Sequence, residues 1–144
     1  MRFMILVKAT EDTEAGLMPA DDKLFLELAE YHEELAKAGV LLDGSGLQPS
    51  SKGWRVQYDG QKRTVIDGPF TEAKELVAGY TIIQVKSREE AMEWSRRFPN
   101  PSIDGGKAEI EVRPFYELED FGESPAIERF RELDLPGQRK EETP

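Results

Sequence analysis

The stretch Val77–Val85, VAGYTIIQV, predicts the central strand of the fold of this 144-residue chain. It is rich in β-branched and aromatic residues, the composition of a strand in the middle of a sheet. The apolar run Phe3–Val7, FMILV, is too short for an ordinary helix and predicts a second strand, buried on both faces. The elements around these two strands follow from hydrophobic periodicity and from the positions of glycine and proline.

The clearest helix signal covers residues 21–38. Gly39 follows it and supplies a stop at the C-terminus. Ser87 and Glu90 have the spacing of a capping box, so a second helix begins there and ends before Pro99. Along the first helix, apolar residues recur at spacings of three and four in two neighbouring stripes: Leu24, Leu28, Tyr31 and Leu35, and Phe25, Ala29, His32 and Ala36.

The remaining segments of the first 117 residues predict further strands and one loop. Residues 54–58 alternate between apolar and polar, which predicts a half-buried strand. Asp59-Gly60 is a tight-turn pair, and residues 64–66 return as the partner strand of a hairpin. Residues 40–42 are extended before glycines interrupt them, and residues 108–112 form the last strand. The acidic segment 11–18 contains a glycine and predicts a loop.

This order of elements predicts an α+β fold with a ferredoxin-like arrangement, in which an antiparallel sheet carries two helices on one face. The other sheet face would then expose Val, Ile and Tyr side chains. At about 25 cal/mol per Å² of apolar surface, covering that face is worth many kcal/mol. We therefore expect a homodimer in which two sheets meet face to face, a dimeric α+β barrel.

Residues 1–117 are predicted to form this domain, and residues 118–144 an acidic C-terminal extension. The whole chain has a net charge of −10, and residues 116–144 contribute half of it with nine acidic and four basic side chains. Ser124-Pro125 predicts the start of a short helix with Ile127, Phe130 and Leu133 on one face. The helix would dock on its own domain or on the dimer partner, or it would act as a lid or partner-binding segment.

Composition excludes several function classes. The chain has no cysteine, which excludes disulfides, thiolate metal sites and cysteine nucleophiles, and with a single histidine we expect neither a metal site nor a cofactor. No stripe of Lys and Arg is present, so direct nucleic-acid binding is not expected. No run approaches the ~20 apolar residues of a membrane span, and the N-terminus lacks the features of a secretory signal, so we predict a cytoplasmic protein.

Residues 67–75, DGPFTEAKE, resemble the signature of the DGPF family within the YCII-related group. The flanking segments GSGLQPSSKGWRV, LVAGYTIIQVKSREEAMEW and IEVRPFYE are similar in style, and the resemblance covers about residues 1–117. It implies a dimeric α+β barrel. Some members of the family are associated with extracytoplasmic-function sigma factors, so the resemblance also implies a regulatory partner of that kind.

Two interpretations of this nonapeptide remain open. Gly68 and Pro69 restrict the chain to a sharp turn. The turn is either a rigid brace whose charges pair with a neighbour such as Arg113, or the wall of a pocket in which Asp67, Glu72 and Lys74 contact a small molecule. On the second interpretation the predicted ligand-binding residues are Asp67, Phe70, Glu72, Lys74 and Glu75, together with Asp43 and Arg113.

His32 is the candidate catalytic residue, because histidine is the side chain that most readily exchanges protons near neutral pH. It is either a half-buried histidine with one structural partner or a general base oriented by Asp43 or Asp67. YCII-related proteins in the wider group resemble enzymes with a His–Asp pair, but their histidine lies earlier in the first helix, where this chain has Leu28. The family's His–Asp chemistry is therefore not transferred to His32.

Two functions follow. The first is a small-ligand-binding or regulatory domain, with a pocket between the first helix, the loop of residues 67–75 and the central strands. The alternative is a cofactor-free enzyme of the dimeric α+β barrel type, in which His32 and a carboxylate move a proton on a small substrate.

Overall fold

The computed structural model describes residues 1–136, which contain six strands, four α-helices and three short 3-10 helices. By contacts the chain divides into two compact units, Met1–Pro114 and a second unit that begins at Phe115. In chain order the elements are β1 (Arg2–Lys8), α1 (Glu11–Glu14), α2 (Lys23–Lys37), β2 (Leu41–Gly46), β3 (Trp54–Asp59), β4 (Lys62–Asp67), β5 (Val77–Gln84), α3 (Arg88–Arg96), β6 (Ile110–Pro114) and α4 (Pro125–Glu132).

The main sheet has the strand order β2-β5-β1-β6, and each neighbouring pair is antiparallel. This is the ferredoxin-like order, so the predicted α+β fold is confirmed. β5 lies between β1 and β2, and it comes from the stretch that the sequence predicts to be central. The chain therefore places its most β-favouring residues where a strand has a neighbour on both sides.

One face of the sheet builds the core. Phe3 and Ile5 of β1 are buried on the face where Tyr31 and Leu35 of α2 and Ala91 of α3 also pack. Both helices therefore cover the same face of the sheet, as predicted. Val40, Ile83 and Val85 complete this buried cluster, and the partly buried Trp94 and Phe98 pack against it.

The opposite face of the sheet is also apolar in its middle. The register pairs Met4 with Ile82 and Leu6 with Tyr80, and these four side chains are partly buried. That a second copy covers this face remains a prediction.

Four local expectations are wrong. Residues 11–14 form a helix instead of a loop, because the side chains of Thr10 and Thr13 cap its start. β2 continues through Gly46, because it pairs along its length with β5. The hairpin of β3 and β4 is exposed rather than half-buried, because it forms a separate two-stranded sheet. Phe25 and Ala36 of the second helical stripe are exposed, since only the first stripe reaches the core.

The second unit contains the predicted capped helix, α4. The Ser124 side chain accepts a hydrogen bond from the Ile127 backbone N–H at 3.1 Å. The part of the predicted extension that covers residues 137–144 lies outside the described residues, and the predicted boundary after residue 117 remains a prediction. Neither α4 nor any other helix within residues 1–136 is long and apolar enough to cross a membrane.

Tyr31 connects the two helices that cover the sheet. Its hydroxyl donates a hydrogen bond to the Trp94 carbonyl oxygen at 2.7 Å, and its ring meets the Phe98 ring edge-on, with 5.1 Å between centroids. Burial raises the pKa of Tyr31 to about 12, which is well above the ordinary value for tyrosine. The nearby Arg97 opposes this rise and Glu34 adds to it.

This shift predicts a loss of stability in strong alkali. The unfolded chain loses the tyrosine proton near pH 10.0, while the folded protein keeps it until about 12, so the contribution of Tyr31 is complete below pH 10.0 and disappears as the pH rises through 12. We expect Tyr31→Phe to lower the free energy of unfolding by about 1 kcal/mol at neutral pH. It should also flatten the decline in alkali, as measured by urea denaturation. The exposed Tyr58→Phe is the control, and equal alkaline slopes in wild type and Tyr31→Phe would contradict the assignment.

Candidate functional site

A cavity of about 640 Å³ lies in the first unit, between α2 and the part of the sheet that β2 and β5 form. Such a volume is typical of small-molecule sites. Segments 13–19 and 47–49 flank it and provide its rim. From α2 it is lined by Leu24, Phe25, Leu28, Ala29 and His32.

The cavity exists because glycines occupy the helix-facing positions of the sheet below it. Gly46 of β2 pairs with Gly79 of β5, and Gly44 pairs with Thr81. Farther along the same face the positions are filled by large side chains such as Ile5 and Ile83, which are fully buried. Since glycine has no side chain to meet the helix, space remains under the N-terminal half of α2.

The lining is uncharged. Asp, Glu, Lys and Arg make up 33% of the chain, yet none of the described residues that line the cavity is of these types. A charged ligand would therefore lose its water without gaining a countercharge, which is costly. The lining residues of polar type are Thr13, His32, Ser45, Gln48, Tyr80 and Thr81, of which Tyr80 directs its hydroxyl to Asp43 on the opposite face of the sheet.

His32 of α2 lines this cavity, and both of its ring nitrogens are hydrogen-bonded. Nδ1 is 2.7 Å from the Leu28 carbonyl oxygen, and Nε2 is 2.8 Å from Oγ1 of Thr81. Because a carbonyl oxygen only accepts, Nδ1 carries the proton in this contact. In the neutral imidazole, Nε2 is then the acceptor and the Thr81 hydroxyl is the donor. The Tyr31 and Phe98 rings pack edge-on against the imidazole, with centroid distances of 5.6 Å and 6.3 Å.

The predicted carboxylate partner of His32 is wrong. Asp43 pairs with Ile82 on the opposite face of the sheet, where it accepts a hydrogen bond from the Tyr80 hydroxyl at 3.1 Å. Asp67 lies at the end of β4, paired with Trp54. His32 is oriented instead by a backbone carbonyl. Within residues 1–136, no three His, Asp or Glu side chains are grouped so that they could hold a metal ion.

The predicted position of the loop as a pocket wall is also wrong. None of the residues predicted to bind ligand lines the cavity: Asp67, Phe70, Glu72, Lys74, Glu75, Asp43 and Arg113. The loop stays away because its turn is attached to the segment around Ser50 and not to the sheet. Arg113 is exposed on β6 and does not brace the loop either.

The loop instead supports the rim of the cavity from outside. The Ser50 hydroxyl accepts a hydrogen bond from the Phe70 backbone N–H at 3.0 Å and donates one to Glu14. The Ser50 backbone N–H donates to the same Glu14 carboxylate at 3.0 Å. The Arg55 guanidinium lies 3.8 Å from the centroid of the Phe70 ring. Glu14 belongs to the rim segment 13–19 and Ser50 follows the rim segment 47–49, so Ser50 connects both segments to Phe70 of the motif.

Gly68 is required at the turn by a close approach rather than by an unusual backbone angle. A Cβ atom built on Gly68 would lie 1.9 Å from the Ser50 carbonyl oxygen. The φ angle of Gly68 is not positive, so a left-handed backbone conformation is not the reason for the glycine. Its backbone N–H donates a hydrogen bond to the Gly53 carbonyl oxygen at 3.0 Å.

We expect Gly68→Ala to lower the free energy of unfolding by about 1–3 kcal/mol, because the added methyl group overlaps the Ser50 backbone. The matched control is Gly53→Ala, where the added Cβ atom would meet the same Ser50 oxygen at 3.8 Å, an ordinary contact. Urea denaturation of both variants measures the difference. If the two substitutions cost the same, the close approach does not determine the residue.

Neither Thr81 nor any of the three cavity glycines is predicted from the sequence as a site residue. Thr81 resembled any other β-branched residue of a central strand. The signal that could have found the site is the recurrence of Gly44, Gly46 and Gly79 inside two strands, because glycine within a strand often marks a place where another group approaches closely.

Comparisons with known proteins agree with the fold. The model of the YCII-related domain family matches residues 1–116. A curated relative, the uncharacterized protein R00369 of Rhizobium meliloti, is 28% identical over 102 residues, which is 71% of this chain and 81% of that protein.

Among solved structures, the chain is similar to 5-chloro-2-hydroxyhydroquinone dehydrochlorinase from Burkholderia phenoliruptrix AC1100, in complex with 2,5-dihydroxybenzoquinone. The identity is 14% and the TM-score 0.44, over 81% of this chain and 95% of that one. A similarity at this level carries no information about the substrate of this chain.

Proposed function

The chain belongs to the YCII-related domain family, and we propose that within this family it is a binding domain for a small, uncharged and largely apolar molecule. The observation that carries the proposal is the cavity under α2, which has the volume of a small-molecule site and no charged residue among its described lining. Apolar walls with a few polar groups at one end are the usual composition of such sites.

The finer features of this proposal rest on other observations. Membership of the DGPF subgroup is supported by residues 67–75, and a homodimer by the apolar side chains on the second face of the sheet. A regulatory partner such as a sigma factor remains a prediction from the resemblance. The motif residues would serve binding indirectly, since they connect the two rim segments through Ser50.

A second candidate, cofactor-free proton transfer, is favoured by the geometry of His32. A base whose Nδ1–H is oriented by a carbonyl and whose Nε2 faces a hydroxyl has the arrangement of an acid–base group. The two candidates differ in what happens to the bound molecule. A binding domain releases it unchanged, whereas an enzyme releases a different compound.

Filling the cavity tests the binding proposal. A Cβ atom at Gly46 would meet only the Ala78 carbonyl oxygen, at 4.0 Å, so a large side chain at this position extends into the cavity without striking the backbone. We expect Gly46→Phe to fold and to bind the neutral fluorescent probe N-phenyl-1-naphthylamine at least about tenfold more weakly than wild type. Fluorescence titration measures the dissociation constants.

The control for this experiment is Thr64→Phe, on the exposed hairpin and outside the cavity lining. It adds the same aromatic ring to a strand and should leave probe binding unchanged. A wild-type protein that does not bind the probe, or equal affinities in wild type and Gly46→Phe, would contradict the proposed function.

A further inference from the structure

We propose that the floor of the cavity selects ligands that carry a hydrogen-bond donor, such as a phenol, an enol or a neutral N–H group. This inference rests on the proposed binding function, and it names the chemical class of the ligand. It is carried by the order of hydrogen bonds that runs from the Leu28 carbonyl through His32 to Thr81.

The direction of each bond follows from the first one. The Leu28 carbonyl oxygen accepts the Nδ1–H of His32, which leaves Nε2 of the neutral ring with a lone pair. That lone pair faces Oγ1 of Thr81 at 2.8 Å and takes its only proton. The Thr81 hydroxyl therefore has no hydrogen to offer to a ligand, and what remains on Oγ1 is acceptor capacity.

Two other polar residues of the lining, Thr13 and Tyr80, have hydroxyl groups that already donate within the protein. Thr81 is only 2% exposed, and among the described residues Oγ1 has no hydrogen-bond partner other than His32. The hydroxyl of Thr13, at the rim, donates to the Thr10 carbonyl oxygen at 3.0 Å within the cap of α1. The Tyr80 hydroxyl donates to Asp43 on the other side of the sheet.

A ligand without a donor would then leave the acceptor lone pairs of Thr81 Oγ1 without a partner beside an apolar surface, although the hydroxyl still donates to His32. An unmet hydrogen bond in a buried site weakens binding, whereas a ligand O–H or N–H directed at Oγ1 restores it. The selection is for a donor and not for polarity in general, because a ligand that carries only acceptors would place its lone pairs against those of Thr81.

Three naphthalenes of nearly equal shape separate these cases: 2-naphthol carries a donor, 2-methoxynaphthalene only an acceptor, and 2-methylnaphthalene neither. Because they differ in hydrophobicity, the quantity to compare is the ratio of their dissociation constants in different variants. We expect Thr81→Val to raise the dissociation constant of 2-naphthol, relative to that of 2-methylnaphthalene, about tenfold. Thr81→Ser, which retains the hydroxyl, should restore the wild-type ratio.

The outcomes distinguish the two proposals. If wild type binds none of the three compounds, the proposed function fails. If wild type binds them but the ratio is the same in Thr81→Val, the donor selection is overturned while the cavity remains. The acceptor compound gives a second comparison between the same variants. Thr81→Val should also weaken 2-naphthol relative to 2-methoxynaphthalene, and an unchanged ratio of these two dissociation constants would overturn the inference as well.

Discussion

The pairing of β2 with β5 determines which part of the interface between α2 and the sheet is filled by side chains and which part is a cavity. It places Gly46 opposite Gly79 and Gly44 opposite Thr81, on the face of the sheet that α2 covers. Side chains such as Ile5 and Ile83 support the helix at the other end of that face. The core and the cavity are thus two halves of one helix–sheet interface, and His32 with Thr81 lies on the line between them.

Around the empty half, the described residues use backbone contacts and hydrogen bonds rather than ion pairs. His32 is oriented by a carbonyl, and the rim segments are joined through Ser50. The residues of the DGPFTEAKE segment lie outside the rim, where Phe70 and Gly68 attach to the chain around Ser50 and Gly53. The segment most specific to the sequence would therefore influence a bound molecule through the position of the rim.

The sequence predicts the order of the elements because each element is encoded locally. The period of three and four in α2, the Ser87 cap of α3 and the alternation of apolar residues in β3 need no knowledge of distant residues. The site could not be predicted in the same way. Gly44 and Gly46 interrupt a strand pattern, and only pairing with β5 overrides their low strand propensity. The partners of His32 come from another turn of the helix and from a strand 49 residues away.

The part of the sheet that contains Gly44, Gly46 and Gly79 leaves an apolar cavity under α2. The most direct measurement is a crystal structure of the protein under xenon pressure, because xenon enters apolar cavities and scatters strongly. We predict xenon between Leu28 and the Gly46–Gly79 pair, with His32 still bonded to Thr81. A structure in which α2 or the segment of residues 17–19 fills this space, and no xenon lies between helix and sheet, would contradict the account.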